Sequence, residues 1–218
     1  MALMHFHARM VSRSNAGSRS ALGAAAYQAR ERIEARRQVH DYARREDLVY
    51  KEILLPEGAP DWMQDRSALW EAAEAKADAS TRPHDAQVAR AIDAALPRGL
   101  EHEEQIALER DFAEEAFVAR GMAVDMALHD SPASDGERNV HVHYLLATRE
   151  VTPDGFGGVA RDWGHKALLA EWRMAWEAGL ERALERAGGL EWAVEWEVSR
   201  DAPSQRETRE AGAELGME

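Results

Sequence analysis

The 218-residue chain contains no cysteine. Disulfides and thiolate metal sites are therefore excluded, and any metal must be held by His, Asp or Glu. No apolar run reaches the ~18 residues that a membrane-spanning helix needs, and the N-terminus MALMHFHARM lacks the apolar core of a signal peptide. These two absences point to a cytoplasmic protein. There is no internal repeat, and no serine sits in a nucleophile-elbow context. A nucleophile must then be water or one of four tyrosines, Tyr27, Tyr42, Tyr50 and Tyr144.

The net charge of −13 argues against a polyanionic partner, but it is unevenly placed. Residues 1–51 carry ten Lys/Arg against five Asp/Glu, a net of +5, so the remainder carries −18. A locally basic segment on an acidic body is compatible with nucleic-acid binding through a patch. A solvated helix face rich in arginine explains the same numbers, so charge alone does not decide. The length suits one core, with 1–200 as a single domain and the polar stretch 201–218 as a flexible tail or a short helix.

The most informative stretch is Asn139 to Ala147, NVHVHYLLA. Its period of two predicts a half-buried strand with Val140, Val142, Tyr144 and Leu146 on one face and His141, His143 and Leu145 on the other. Same-face neighbours lie about 6.5 to 7 Å apart along a strand, so two imidazoles can chelate one ion from a rigid base. An isolated His-x-His is equally well a strand with two solvated histidines. Three further stretches alternate in the same way. Leu3 to Val11 puts His5, His7 and Arg9 opposite Phe6, Ala8 and Met10. Val88 to Leu96 sets Asp93 among alanines, although so many alanines leave a helix open. Met122 to His129 places His129 on a face with Ala123, Asp125 and Ala127, and the turn-forming loop Asp130 to Arg138 returns the chain into the His-x-His strand as a hairpin.

Between these, Ser18 or Ser20 caps a helix from about Arg19 to Arg37 whose first turns are small residues ending at Tyr27. A strand runs from Asp47 to Leu55. A helix from Pro60-Asp61 to Asp78 carries Trp62, Leu69, Trp70, Ala73 and Ala77 inward, and both tryptophans are read as core. Helices follow at Glu101 to Arg120, stopped by Gly121, and, after the turn Pro153-Asp154-Gly155, at Lys166 to Ala187. His129, His141, His143 and Asp93 then converge on one open sheet face. Three neutral imidazoles make a facial metal site, and a carboxylate can fix an imidazole tautomer from behind.

In order and spacing, RSNAGSRSALGAAAYQARERI, HDYARREDLVYKEILLPEGAPDW, VARAIDAALPRGL, NVHVHYLLATR and ALLAEWRMAWEAGLERAL resemble the MobA/MobL (MobQ-type) conjugative relaxases of the HUH endonuclease superfamily. The resemblance runs from the N-terminus to about Gly188. It implies an α+β fold, a central antiparallel β-sheet with helices packed on it, and an endonuclease that nicks one DNA strand at a plasmid origin of transfer. It also implies that Tyr27 is the nucleophile and that His129, His141 and His143 hold the metal. Asp93 falls where the family more often has Glu, with Ala91 at a nearby position often acidic there; Asp93 is the catalytic carboxylate on this reading. As a lone residue Tyr27 would more often be a packing tyrosine, which is the reading kept for Tyr42, Tyr50 and Tyr144.

The cofactor implied is a divalent cation, Mg or Mn in use, with Zn or Ni as substitutes in vitro, since imidazoles intrinsically favour the later metals. The partners implied are single-stranded or hairpin DNA at the origin of transfer and relaxosome accessory and coupling proteins of a bacterial cytoplasm. Arg9, Arg13, Arg19 and Arg30, in the basic segment around Tyr27, are the expected DNA contacts. His5 and His7 are read as solvated or packing groups beside the DNA path. A rolling-circle replication initiator uses similar groups but places its tyrosine after the His-x-His strand. A non-cleaving DNA-binding remnant and, last, a small-molecule metal hydrolase are the other readings.

Overall fold

The computed structural model describes residues 5–14, 20–35, 38–133 and 136–188. Arg19, Ser18 and the stretch 201–218 lie outside the described residues. The alternating stretches are strands: β1 (Phe6–Ser12), β4 (Leu48–Leu54), β5 (Gln87–Ala95), β6 (Val124–Pro132) and β7 (Arg138–Ala147). They form one antiparallel sheet in the order β1-β5-β7-β6-β4. Period-two patterning gives each strand two different faces, and each face has its own helical cover.

On one face Ile92, Val124, Met126, Val142 and Tyr144 pack against Phe112, Trp172 and Trp176 of α3 (His102–Ala116) and α4 (Lys166–Arg186). On the other, Ala89, Ala91, Ala123, Leu145 and Ala147 pack against α1 (Ala21–Ala29) and α2 (Arg66–Asp78). The second face is built of small side chains, and α1, with Ala21, Gly23 and Ala24 to Ala26, is small as well. Helix and sheet can therefore approach closely, and every residue of α1 is buried. Ser20 caps α1 by accepting from the Gly23 N–H, and the Ala21 N–H donates to Glu74 of α2 at 2.7 Å, a carboxylate placed where the helix dipole favours it.

Three expectations are corrected. The first helix ends at Ala29, not Arg37, because Arg30 adopts the left-handed conformation that closes a helix. The segment after it forms a two-stranded hairpin, β2 (Arg32–Ala35) and β3 (Gln38–Asp41), in which Ile33 is buried between exposed Arg32 and Glu34. Trp62 is 41% exposed and is not core: it lies on a 3-10 turn, Asp61–Gln64, whose phase is broken from α2 by the Asp65 cap. Trp70, within α2, is fully buried as expected. Finally, Pro153-Asp154-Gly155 closes an unexpected hairpin between β8 (Arg149–Thr152) and β9 (Gly155–Val159). Gly155 is required there, since its φ is +103° and a Cβ would meet Trp62 at 2.9 Å.

Under α2 the fully buried Asp125 accepts from Arg66 Nε and Trp70 Nε1, both at 2.9 Å. Arg66→Ala would leave that carboxylate buried without its cation, and denaturant unfolding should show a loss of about 3 to 5 kcal/mol. A loss below about 1 kcal/mol would mean that the pair contributes no more than a surface ion pair.

Candidate active site

The pairing register assembles the site. Asp93 pairs with His143 across β5 and β7, and His129 with His141 across β6 and β7, so these four side chains project from the same face. The imidazole centroids lie 5.4 Å (His129 to His141), 4.6 Å (His129 to His143) and 4.8 Å (His141 to His143) apart. One nitrogen from each ring falls within 4.8 Å of the others, and all three residues are buried.

The second nitrogens are held. His141 Nδ1 is 2.9 Å from the Asn139 carbonyl, and His143 Nδ1 is 2.5 Å from Asp93 Oδ1. Such acceptors place the proton on Nδ1 and direct Nε2 outward as a ligand. His129 differs, with Nε2 2.6 Å from the Gln28 carbonyl and Nδ1 3.1 Å from Arg30 Nη2. Burial first, then the charges of His143, Arg30 and His141, hold the His129 imidazole well below its ordinary 6.5, outweighing the Gln28 bond. It is neutral at neutral pH, the state a metal ligand requires. Burial would raise the Asp93 carboxyl, but the hydrogen bond and charge of His143, the bond to His7 and the charge of Arg9 hold it well below the usual carboxylate range. Asp93 is therefore a charged acceptor behind His143. The donor set fits a divalent cation: three imidazoles on one face, one of them backed by a carboxylate.

Tyr27 comes to the same place from α1. Its ring lies edge-on 6.3 Å from the His143 ring and 5.4 Å from Tyr42, and it is 7% exposed. Two cations stand over it, with Arg30 Cζ 4.5 Å and Arg45 Cζ 5.2 Å from its centroid. The residue after it is pinned to β6, because Gln28 Nε2 donates to the Asp125 carbonyl at 2.9 Å. Tyr144, on the other face, donates to the Glu109 carbonyl at 3.0 Å.

Of the expected DNA contacts, Arg9 lies on β1 on the histidine face, across from Ala91. Arg13 is held by Glu74 at 2.5 Å and Asp78 at 2.7 Å. Arg30 is buried. His7 is exposed at the rim, its Nδ1 3.9 Å from Asp93 Oδ2. Asp47, Gln28 and Arg45, which the sequence does not mark as site residues, belong to the surroundings of Tyr27. Only the β4 and β6 pairing, which sets Leu48 beside His129, brings Asp47 there.

The MobA/MobL family model matches residues 19–195. The chain belongs to the MobA/MobL family. Conjugal transfer protein TraA of Agrobacterium fabrum is 39% identical over 165 residues, covering 72% of this chain and 14% of that protein. Mobilization protein MobL of Acidithiobacillus ferridurans is 34% identical over 178 residues, covering 71% and 45%. The MobA/MobL chain thus spans a small part of its curated TraA relatives. A solved chain from work on the molecular basis of vancomycin resistance transfer in Staphylococcus aureus has 31% identity and a TM-score of 0.74, over 86% of this chain and 95% of that one. The conjugative relaxase TrwC, solved metal-bound with oriT DNA, has 13% identity and a TM-score of 0.56 over 98% and 99%. That likeness is one of fold, and the fold of this MobA/MobL chain is the relaxase fold. No helix among the described residues is long and apolar enough to cross a membrane.

The neutral state of His129 has a pH consequence. The unfolded chain protonates this histidine below about 6.5 and the folded one does not, so the stability it carries at pH 7 is lost progressively as pH falls below that value. Metal-free protein should lose melting temperature between pH 7 and 5, and His129→Gln should show a smaller drop. An equal drop in both would place the titration elsewhere.

Proposed function

We propose that the chain is a relaxase domain of the bacterial cytoplasm that cuts one DNA strand at an origin of transfer through Tyr27. The observation that carries this reading is the Tyr27 ring 6.3 Å from His143, at the edge of the three-histidine cluster. The phenolic oxygen of Tyr27 attacks the scissile phosphorus, the bond from phosphorus to the 3′ oxygen breaks, and that oxygen leaves as a 3′ hydroxyl with the proton given up by the phenol. A 5′-phosphotyrosine ester remains, and its reversal by a 3′ hydroxyl rejoins the strand.

His129, His141 and His143 would hold a divalent cation, Mg or Mn, which when bound supplies charge that offsets the phosphate during transfer. Asp93 fixes the His143 ring and keeps its ligating nitrogen turned to the cluster. The burial of Tyr27 keeps bulk water from competing with its oxygen. The DNA is the origin strand in single-stranded or hairpin form, with Arg9 at the face that carries the site; TrwC is solved with a 27-mer comprising the recognition hairpin and the cleavage site. Origin DNA in a relaxosome also implies accessory and coupling proteins as further partners. The position of Tyr27, more than a hundred residues before His141, favours this reading over a rolling-circle initiator.

Labelled origin-strand oligonucleotide incubated with the protein and Mn should give a covalent adduct on a denaturing gel. Tyr27→Phe should abolish the adduct and leave DNA affinity within about twofold, since only one oxygen is lost. An adduct that survives in Tyr27→Phe would assign the nucleophile elsewhere, and none with the wild type would favour a non-cleaving DNA-binding protein.

A further inference from the structure

Arg30 is the only non-glycine among the described residues with a positive φ, at 51°. Glycine would close α1 there without steric conflict. What an arginine adds is its side chain, which turns inward and is buried. Its Nε and Nη2 form a fork on the Asp47 carboxylate at 2.7 and 2.6 Å. Nη1 donates to the Tyr27 carbonyl at 2.7 Å, and Nη2 lies 3.1 Å from His129 Nδ1. Its carbon Cζ stands 4.5 Å from the centre of the Tyr27 ring, within the range of cation–π attraction. One guanidinium therefore touches the nucleophile's ring, its backbone, a metal-ligating histidine and a carboxylate at the start of β4.

Resting on the cleavage reading above, we propose that Arg30 is a positioning residue that holds the Tyr27 side chain and the His129 imidazole in one fixed relation, with Asp47 as its anchor. It is not a DNA contact. A planar fork committed to the half-buried Asp47 carboxylate cannot also clasp a phosphate without giving up that pair, and Arg30, 5% exposed, presents almost no surface to a duplex or a single strand. Its charge suits the chemistry at Tyr27, whose oxygen carries developing negative charge when it attacks and again when it departs on rejoining. Burial opposes the charge of Arg30, but the hydrogen bond to Asp47 and the charges of Tyr27 and Asp47 raise the guanidinium above its ordinary range. A neutral His129 that accepts from Nη2 at Nδ1 carries its proton on Nε2, where the Gln28 carbonyl accepts it, so a cation binding His129 takes the place of one of these two contacts and the end of α1 is coupled to the histidine cluster.

The test uses Arg30→Gly, whose backbone suits the left-handed turn, and Asp47→Asn, which leaves the arginine but weakens its anchor. Each is compared with wild type in three measurements: the rate of adduct formation on a hairpin oligonucleotide with Mn, the affinity and salt dependence for the same DNA without metal, and the 19F spectrum of 3-fluorotyrosine-labelled protein, with the Tyr27 signal identified by its absence in Tyr27→Phe. Adduct formation should fall on the order of 100-fold in both variants, the scale expected when a reacting group is displaced by about 1 Å. DNA affinity and salt slope should stay within about twofold, the Tyr27 resonance should broaden or split, and methylguanidinium should restore part of the rate to Arg30→Gly alone. An unchanged Tyr27 resonance with a wild-type rate would overturn the proposal, and so would weaker DNA binding with a shallower salt slope, which would make Arg30 a phosphate contact. A wild-type protein that forms no adduct would sink the cleavage reading, while the 19F spectra would still decide whether Arg30 positions Tyr27.

Discussion

The site depends on the register in which β7 pairs with its two neighbours. A slip of one residue would turn every side chain of β7 to the opposite face, burying His141 and His143 against α3 and α4 and exposing Val142 and Tyr144 to α1. The hydrogen bonds that pair Asp93 with His143 and His129 with His141 are thus the same ones that commit Val142, Tyr144 and Leu146 to the aromatic core. Core burial holds the imidazoles in place, because moving the cluster would require taking Tyr144 and its neighbours out of the aromatic core and burying His141 and His143 there instead.

Tyr27 reaches this rigid base from a helix that could not approach if it were larger. Small side chains on both α1 and the sheet let the helix lie close, and its end is fastened by polar contacts: Gln28 to the Asp125 carbonyl, His129 to the Gln28 carbonyl, and Arg30 to Asp47. These fastenings consume charge that the sequence suggests is available for DNA. Arg13 is paired with Glu74 and Asp78, Lys51 with Glu31, and Arg30 with Asp47. These three cations are therefore committed to contacts within the fold, although only Arg13, paired with acids beyond residue 51, offsets the net charge of the segment.

Much of the sheet and the histidine cluster was legible because a period of two is a direct record of which face is buried. His129, Asp93, His141 and His143 each share their strand face with small or apolar neighbours, and that pattern needs no tertiary information. Other features left no such trace. The end of α1 carries no glycine, so the helix-favouring run that follows hid the β2–β3 hairpin, whose pairing is decided by burial of Ile33. Trp62 matched the stripe of α2 but sits one cap earlier, on a turn with a different phase. Asp47 and Arg30 meet only because β4 pairs with β6, a contact between segments that local spacing does not report.

On the proposed function, a single cation site built by the β5, β6 and β7 register faces the Tyr27 oxygen. Anomalous scattering at the manganese edge, from crystals of the protein grown with Mn and a hairpin oligonucleotide that stops at the scissile phosphate, tests this directly. One strong peak is expected, bonded to nitrogen atoms of His129, His141 and His143, with Tyr27 on the same side of the sheet and the phosphate between them. A peak held instead by His7 and Asp93, or a triad peak with Tyr27 turned away from the phosphate, would contradict it.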